Sequence, residues 1–137
     1  ELQPKDIPAE ELDFVNNAIK LYKDTIRPIV QFGDLYRLTS PYDNSGWASM
    51  MHVSKDKKNA VFFLYSLKLH VADRHHAKFE GLDPNKEYEI IEVNRTGKSN
   101  STYANNKVLS GEFLMKYGIP FYIFQPFQST VLLISEK

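Results

Sequence analysis

The sequence predicts a mainly β protein, an antiparallel β-sandwich preceded by one N-terminal amphipathic helix. Three observations carry that expectation. A helical apolar period runs through residues 6 to 27. The rest of the chain is β in character, a series of short strand candidates. These follow one another across turn signals instead of alternating with helices, which favours an antiparallel sheet over a parallel one.

In the helix, Leu12, Val15, Ile19, Tyr22 and Ile26 recur at steps of three and four and so share one face. Asp6 suits a cap, Pro8 a first turn, and Glu10 and Glu11 the positive end of the helix dipole. Pro28 disfavours helical angles at Arg27, so the helix is expected to end or kink there.

Next comes QFGDLYRLTSP, Gln31 to Pro41, with Gly33, Asp34, Tyr36 and Arg37 close together. A glycine, an acid, an aromatic and an arginine resemble the parts of an active-site loop. With no second carboxylate or nucleophile beside them, the stretch reads instead as a joint. Gly33 turns the chain, Leu35 and Leu38 anchor it, and Asp34 and Arg37 are near enough in sequence to satisfy each other or nearby backbone groups.

Strand candidates follow at Trp47 to Val53 and Ala60 to Val71, separated by the charged turn SKDKKN. The second has Val61, Phe63, Tyr65, Leu67 and Leu69 on one face and Phe62, Leu64, Ser66, Lys68 and His70 on the other. Gly81 to Lys86 reads as a proline turn feeding a strand from Glu87 to Val93. Arg95 to Ser101 is a polar loop, and Thr102 to Lys107 suits a short strand. Ser110 to Tyr117 forms one or two helical turns ending at Gly118, and Phe121 to Phe124 and Thr130 to Ser135 close the sheet.

Composition narrows the function classes. Seventeen basic and seventeen acidic residues cancel, so neither nucleic acid nor an anionic membrane surface is an expected partner. The longest apolar run, Ala60 to Tyr65, is far short of the roughly 20 residues that span a bilayer. Without cysteine there is no disulfide or thiolate metal site, and the compartment stays open.

Catalytic constellations are likewise missing. His70, Asp73, His75 and His76 crowd together, but they straddle a strand end without the spacing of a helical metal motif, so loop residues are expected and no metal or cofactor site is assigned. A glycosidase needs two carboxylates roughly 5 to 10 Å apart across a sugar. Here each acid has a local structural explanation, and only Asp34 has a suggestive setting. No Gly-x-Ser-x-Gly occurs. Asn94-Arg95-Thr96 and Asn100-Ser101-Thr102 match the glycosylation sequon. Aromatics make up 13% of the chain; most suit a sandwich core, while Trp47, beside the Asn44-Ser45-Gly46 turn, is the aromatic expected to be exposed and is the candidate sugar contact.

An ordered series of motifs spans nearly the whole chain: Tyr22-Lys23-Asp24-Thr25-Ile26-Arg27-Pro28, then Gly33-Asp34-Leu35-Tyr36-Arg37-Leu38 and Ser40-Pro41, then Trp47, Asp56 and Ala60-Val61-Phe62. Gly81-Leu82-Asp83-Pro84 with Tyr88 follows, then Ser110-Gly111, Leu114-Met115 and Gly118-Ile119. This order resembles the C-terminal part of the glycoside hydrolase family 36 α-galactosidases. The resemblance implies a parent enzyme with an N-terminal β-sandwich, a central (β/α)8 barrel and a C-terminal antiparallel β-domain, working without a cofactor. In that family both catalytic aspartates lie in the barrel, so no catalytic residue carries over to this chain. Residues 1–32 would then be the end of the barrel with its linker, and 33–137 the C-terminal β-sandwich. The implied partner is the barrel of the same chain, with an α-galactoside as substrate of the parent alone. A free-standing carbohydrate-binding module and a structural or interaction module docking through its helix are the alternatives. Oligomerisation through this domain is left open.

Overall fold

In a computed structural model, residues 7–68, 75–95, 102–122 and 126–137 are described. The chain opens with α1 (Ala9–Leu21), passes through a π-helical turn (Tyr22–Ile26) and continues as α2 (Arg27–Phe32). Among the described residues eight strands follow: β1 (Asp34–Thr39), β2 (Trp47–Val53), β3 (Asn59–Ser66), β4 (His75–Ala77), β5 (Glu87–Glu92), β6 (Lys107–Ser110), β7 (Ile119–Phe121) and β8 (Ser129–Glu136). A short helix, α3 (Gly111–Lys116), lies between β6 and β7. The fold is mainly antiparallel β, as expected. Six strands form one sheet in the order β1-β2-β3-β8-β5-β6, and β4 pairs with β7 in a small second one.

The main core lies on one face of the large sheet. Trp47, Ser49, Met51 and Val53 of β2 alternate inward, beside Phe62 and Leu64 of β3, Leu132 and Ile134 of β8, and Tyr88 and Ile90 of β5. The β4–β7 ribbon and α3 cover them through Ala77, Phe79, Leu114, Ile119 and Phe121. Phe62 lies at the centre, its ring 4.9 Å from that of Phe79 and 5.3 Å from that of Phe121. The opposite sheet face is apolar too. There Ile26 and Ile29 pack onto Val61, with Leu21, Val30, Phe63, Val131 and Leu133 around them. Residues of β3 are therefore buried on both faces, which is why its sequence shows no clean alternation.

Several expectations are corrected. Of the two outcomes expected at Pro28, the helix does not end there: it runs on to Phe32, and Arg27 stays helical at φ −56°, ψ −45°. The Arg27 amide reaches back five residues, to the Tyr22 carbonyl. This wider π turn sits where Pro28 lacks an N–H and its ring would crowd the preceding turn. Pro8 is the residue flanking the helix start, and Asp6 lies outside the described residues. Asp34 to Thr39, a stretch to which the sequence reading gave no strand, forms edge strand β1, paired with β2 and bulged between Arg37 and Thr39. Residues 103–106 form a turn instead of a strand, with Asn106 at φ +61°. The β4–β7 pair takes in His75 and His76, expected in a loop. Among the described residues no helix is long and apolar enough to cross a membrane.

Candidate functional site

The helix-to-sheet joint holds four of the residues singled out in the sequence. Gly33 ends α2 at φ −81°, an ordinary angle, with its amide donating to the Ile29 carbonyl at 2.8 Å. Glycine is needed for space, not for angle: a Cβ here would sit 2.5 Å from both the Ile29 and the Val53 carbonyl oxygens. Helix and sheet thus meet backbone to backbone. Tyr36 lies half-buried against the core, with its ring over the Gly81 backbone. Asp34 forms an ion pair with Lys55 of the β2–β3 turn. Asp34 and Arg37 do not satisfy each other, because three positions apart on a strand they face opposite sides. Both partners of the Asp34–Lys55 pair are more than half exposed, at 52% and 69%, so the pair adds little stability.

Trp47 is not exposed. It opens β2 in the core, 3% accessible, with its ring 5.0 Å from His75. Its alternation with Ser49, Met51 and Val53 places it inward, and the neighbouring turn does not override that register. The exposure that a sugar contact requires is absent at this ring. His75 also approaches Thr39, whose hydroxyl accepts a bond from Ser49. His70 and Asp73 lie outside the described residues, and among the described residues no group of metal-ligating side chains forms.

Four further acids, Asp56, Asp83, Glu112 and Glu136, are held by partners within the fold. Asp56 accepts from the Ser54 hydroxyl at 2.6 Å and the Lys58 amide at 3.0 Å, and these bonds hold its carboxyl below the usual range. Asp83 accepts from the Asn85 amide across the proline turn. Glu112 pairs with Lys116 and Glu136 with Lys86. Asn94 of the first sequon bonds Ser129 and Val131 of β8 through both ends of its amide. These groups tie turns and strands together.

The most unusual surface is apolar. On α1 and the π turn, Leu12, Phe14, Ile19 and Tyr22 are exposed, along with Phe32 at the end of α2; only Ile26 of the predicted stripe is buried. Leu12, Ile19 and Tyr22 share one face of the helix, and such a row marks a contact surface. The 3.6-residue period identified the stripe, but a period cannot say whether the face is covered within the chain.

Residues 47–134 match the Glycosyl hydrolase family 36 C-terminal domain, and the chain belongs to that family. It is 34% identical over 132 residues to the probable alpha-galactosidase C of Aspergillus terreus, which covers 96% of this chain and 15% of that protein. With alpha-galactosidase AgaA of Geobacillus stearothermophilus it shares 31% identity over 105 residues, 76% of this chain and 14% of the relative. The solved GH36 alpha-galactosidase AgaA from that organism superposes with a TM-score of 0.82 at 28% identity, over 100% of this chain and 17% of that one. The chain therefore spans about a sixth of the length of the relatives it matches.

Proposed function

We propose that this chain serves as the non-catalytic C-terminal β-domain of a retaining enzyme resembling an α-galactosidase, packing on and stabilising a catalytic barrel of the same parent chain. The exposed apolar stripe of Leu12, Ile19 and Tyr22 carries this reading, since its position on a continuous helix leaves it uncovered by the sheet. Residues 1–32 then belong with the barrel and 33–137 form the β-domain. Gly33, Asp34, Tyr36 and Arg37 form the joint, acting on docking and stability ahead of chemistry. The substrate class of the parent is an α-linked galactoside, and stachyose, seen bound to a variant of the Geobacillus relative, is a suitable member.

The test is turnover of an aryl α-galactoside by the purified chain and by the full-length parent. The parent is expected to turn it over and the chain to be inert. Turnover by the chain that is lost in Asp34→Asn would overturn the proposal. The same stripe also suits a second reading, docking on a separate protein. In that case the parent's helix stays exposed until the other protein is added.

A further inference from the structure

Two proline–aromatic turns stand at the end of the large sheet opposite the Gly33 joint. In the first, the Asp43 amide donates to the Ser40 carbonyl at 3.3 Å and the Tyr42 amide to the Ser40 hydroxyl at 3.2 Å, leaving Tyr42 89% exposed. In the second, Pro126 precedes Phe127, which is 86% exposed and holds φ +61°. Residues 66–68 moor both. The Phe127 amide donates to the Ser66 carbonyl and the Leu67 amide to the Gly46 carbonyl, each at 2.8 Å. The Lys68 ammonium donates to the Asn44 carbonyl at 2.9 Å.

The left-handed region is unfavourable for a bulky side chain, and glycine would hold such a turn without steric cost. At Phe127 the backbone carries that strain for a ring that buries little, so core packing does not explain the residue. Proline at the preceding position in both turns limits the freedom lost when something binds. Beside Tyr42, the Asp43 carboxyl is held below its usual range by the Ser45 hydroxyl and amide, and so stays an ionised acceptor. Exposed flat rings on proline-restricted turns, with an acceptor and a cation beside the first, on a chain with no net charge, suit a neutral polyhydroxyl ligand better than a polyanion.

We propose that these two turns form an ancillary carbohydrate-binding surface, with the Tyr42 and Phe127 rings stacking on pyranose faces and Asp43 and Lys68 bonding sugar hydroxyls. The choice of a galactosyl oligosaccharide as ligand rests on the parent reading above. The surface lies at the end of the sheet opposite the Gly33 joint, separate from the buried Trp47 ring beside it, and it serves retention of a substrate, not its cleavage.

Stachyose is titrated into the labelled chain and followed by amide shifts and saturation transfer. Saturable binding is expected, weakened roughly tenfold in Tyr42→Ala and in Phe127→Ala and unchanged in Tyr117→Ala, just past the end of α3. In Phe127→Gly binding is weakened as in Phe127→Ala while Tm stays or rises, since glycine holds φ +61° without the steric cost. Absence of saturable binding, or binding unchanged in both ring variants, overturns the proposal. A lowered Tm in Phe127→Gly overturns it by making the ring structural. A dimer abolished by Phe127→Ala, without sugar binding, overturns it in favour of a protein contact. None of these outcomes alters the parent's aryl-galactoside turnover, so the two proposals fail separately.

Discussion

At the scale of single residues, the joint depends on a missing side chain. Gly33→Ala places a methyl group against two backbone oxygens that belong to different elements, and neither can move without shifting α2 or β2. The substitution is expected to cost about 1–3 kcal/mol, read as a lower urea midpoint; an unchanged midpoint would mean that the helix is not clamped to the sheet here. His52 makes a second case. It faces the helix side of β2, flanked across the sheet by Leu35 and Val61, and its buried Nδ1 has no partner among the described residues. Burial lowers its pKa from the usual 6.5, so the unfolded chain takes up a proton before the folded one does. Stability should therefore fall as pH drops through and below about 6.5. Denaturation at pH 7.5 and 5.5 checks this, with His52→Leu expected to flatten the difference; a variant with the same pH dependence as the original would show that another group is responsible. Neither effect was legible in the sequence. Gly33 reads as a turn residue, and only its approach to Val53 shows that it is a spacer.

At the scale of elements, sequence reading did best where burial is one-sided. β2 alternates and was found at its observed bounds, β8 was found near its own, and α3 was read as helical turns within Ser110 to Tyr117 ending at Gly118. It failed where another force set the conformation. β1 is an exposed, bulged edge strand without a regular apolar pattern, and the helix survives Pro28 because the π turn absorbs it. Tyr88 shows how a turn far from its partners in sequence is held. Its hydroxyl donates to the Lys57 carbonyl at 2.7 Å and accepts from the Asp83 amide at 3.0 Å, tying the charged hairpin to the proline turn. Tyr88→Phe strips both bonds from a fully buried ring and is expected to cost about 1–3 kcal/mol. An equal urea midpoint in the variant would show that water replaces the hydroxyl without loss.

At the scale of the whole molecule, the fold separates two kinds of apolar surface. The main core is closed on one sheet face by the β4–β7 ribbon and α3, and the π turn with α2 covers part of the other. The stripe on α1 belongs to neither. A 13-residue helix whose apolar face leaves Leu12 and Ile19 exposed is marginal in water, so α1 makes sense as an element completed by further structure. The candidate site was legible in the sequence only in part. The motif order pointed to the family, and the absence of a carboxylate pair pointed away from catalysis. The exposed sugar ring was placed at Trp47, whose strand register buries it.

Amide hydrogen exchange across residues 12–22, compared between the isolated chain and the full-length parent, tests the docking of α1 most directly. Packing against the rest of the parent predicts rapid exchange in the isolated chain and protection in the parent greater by roughly two orders of magnitude. Equal exchange in the two would contradict the account and leave the stripe without its proposed role.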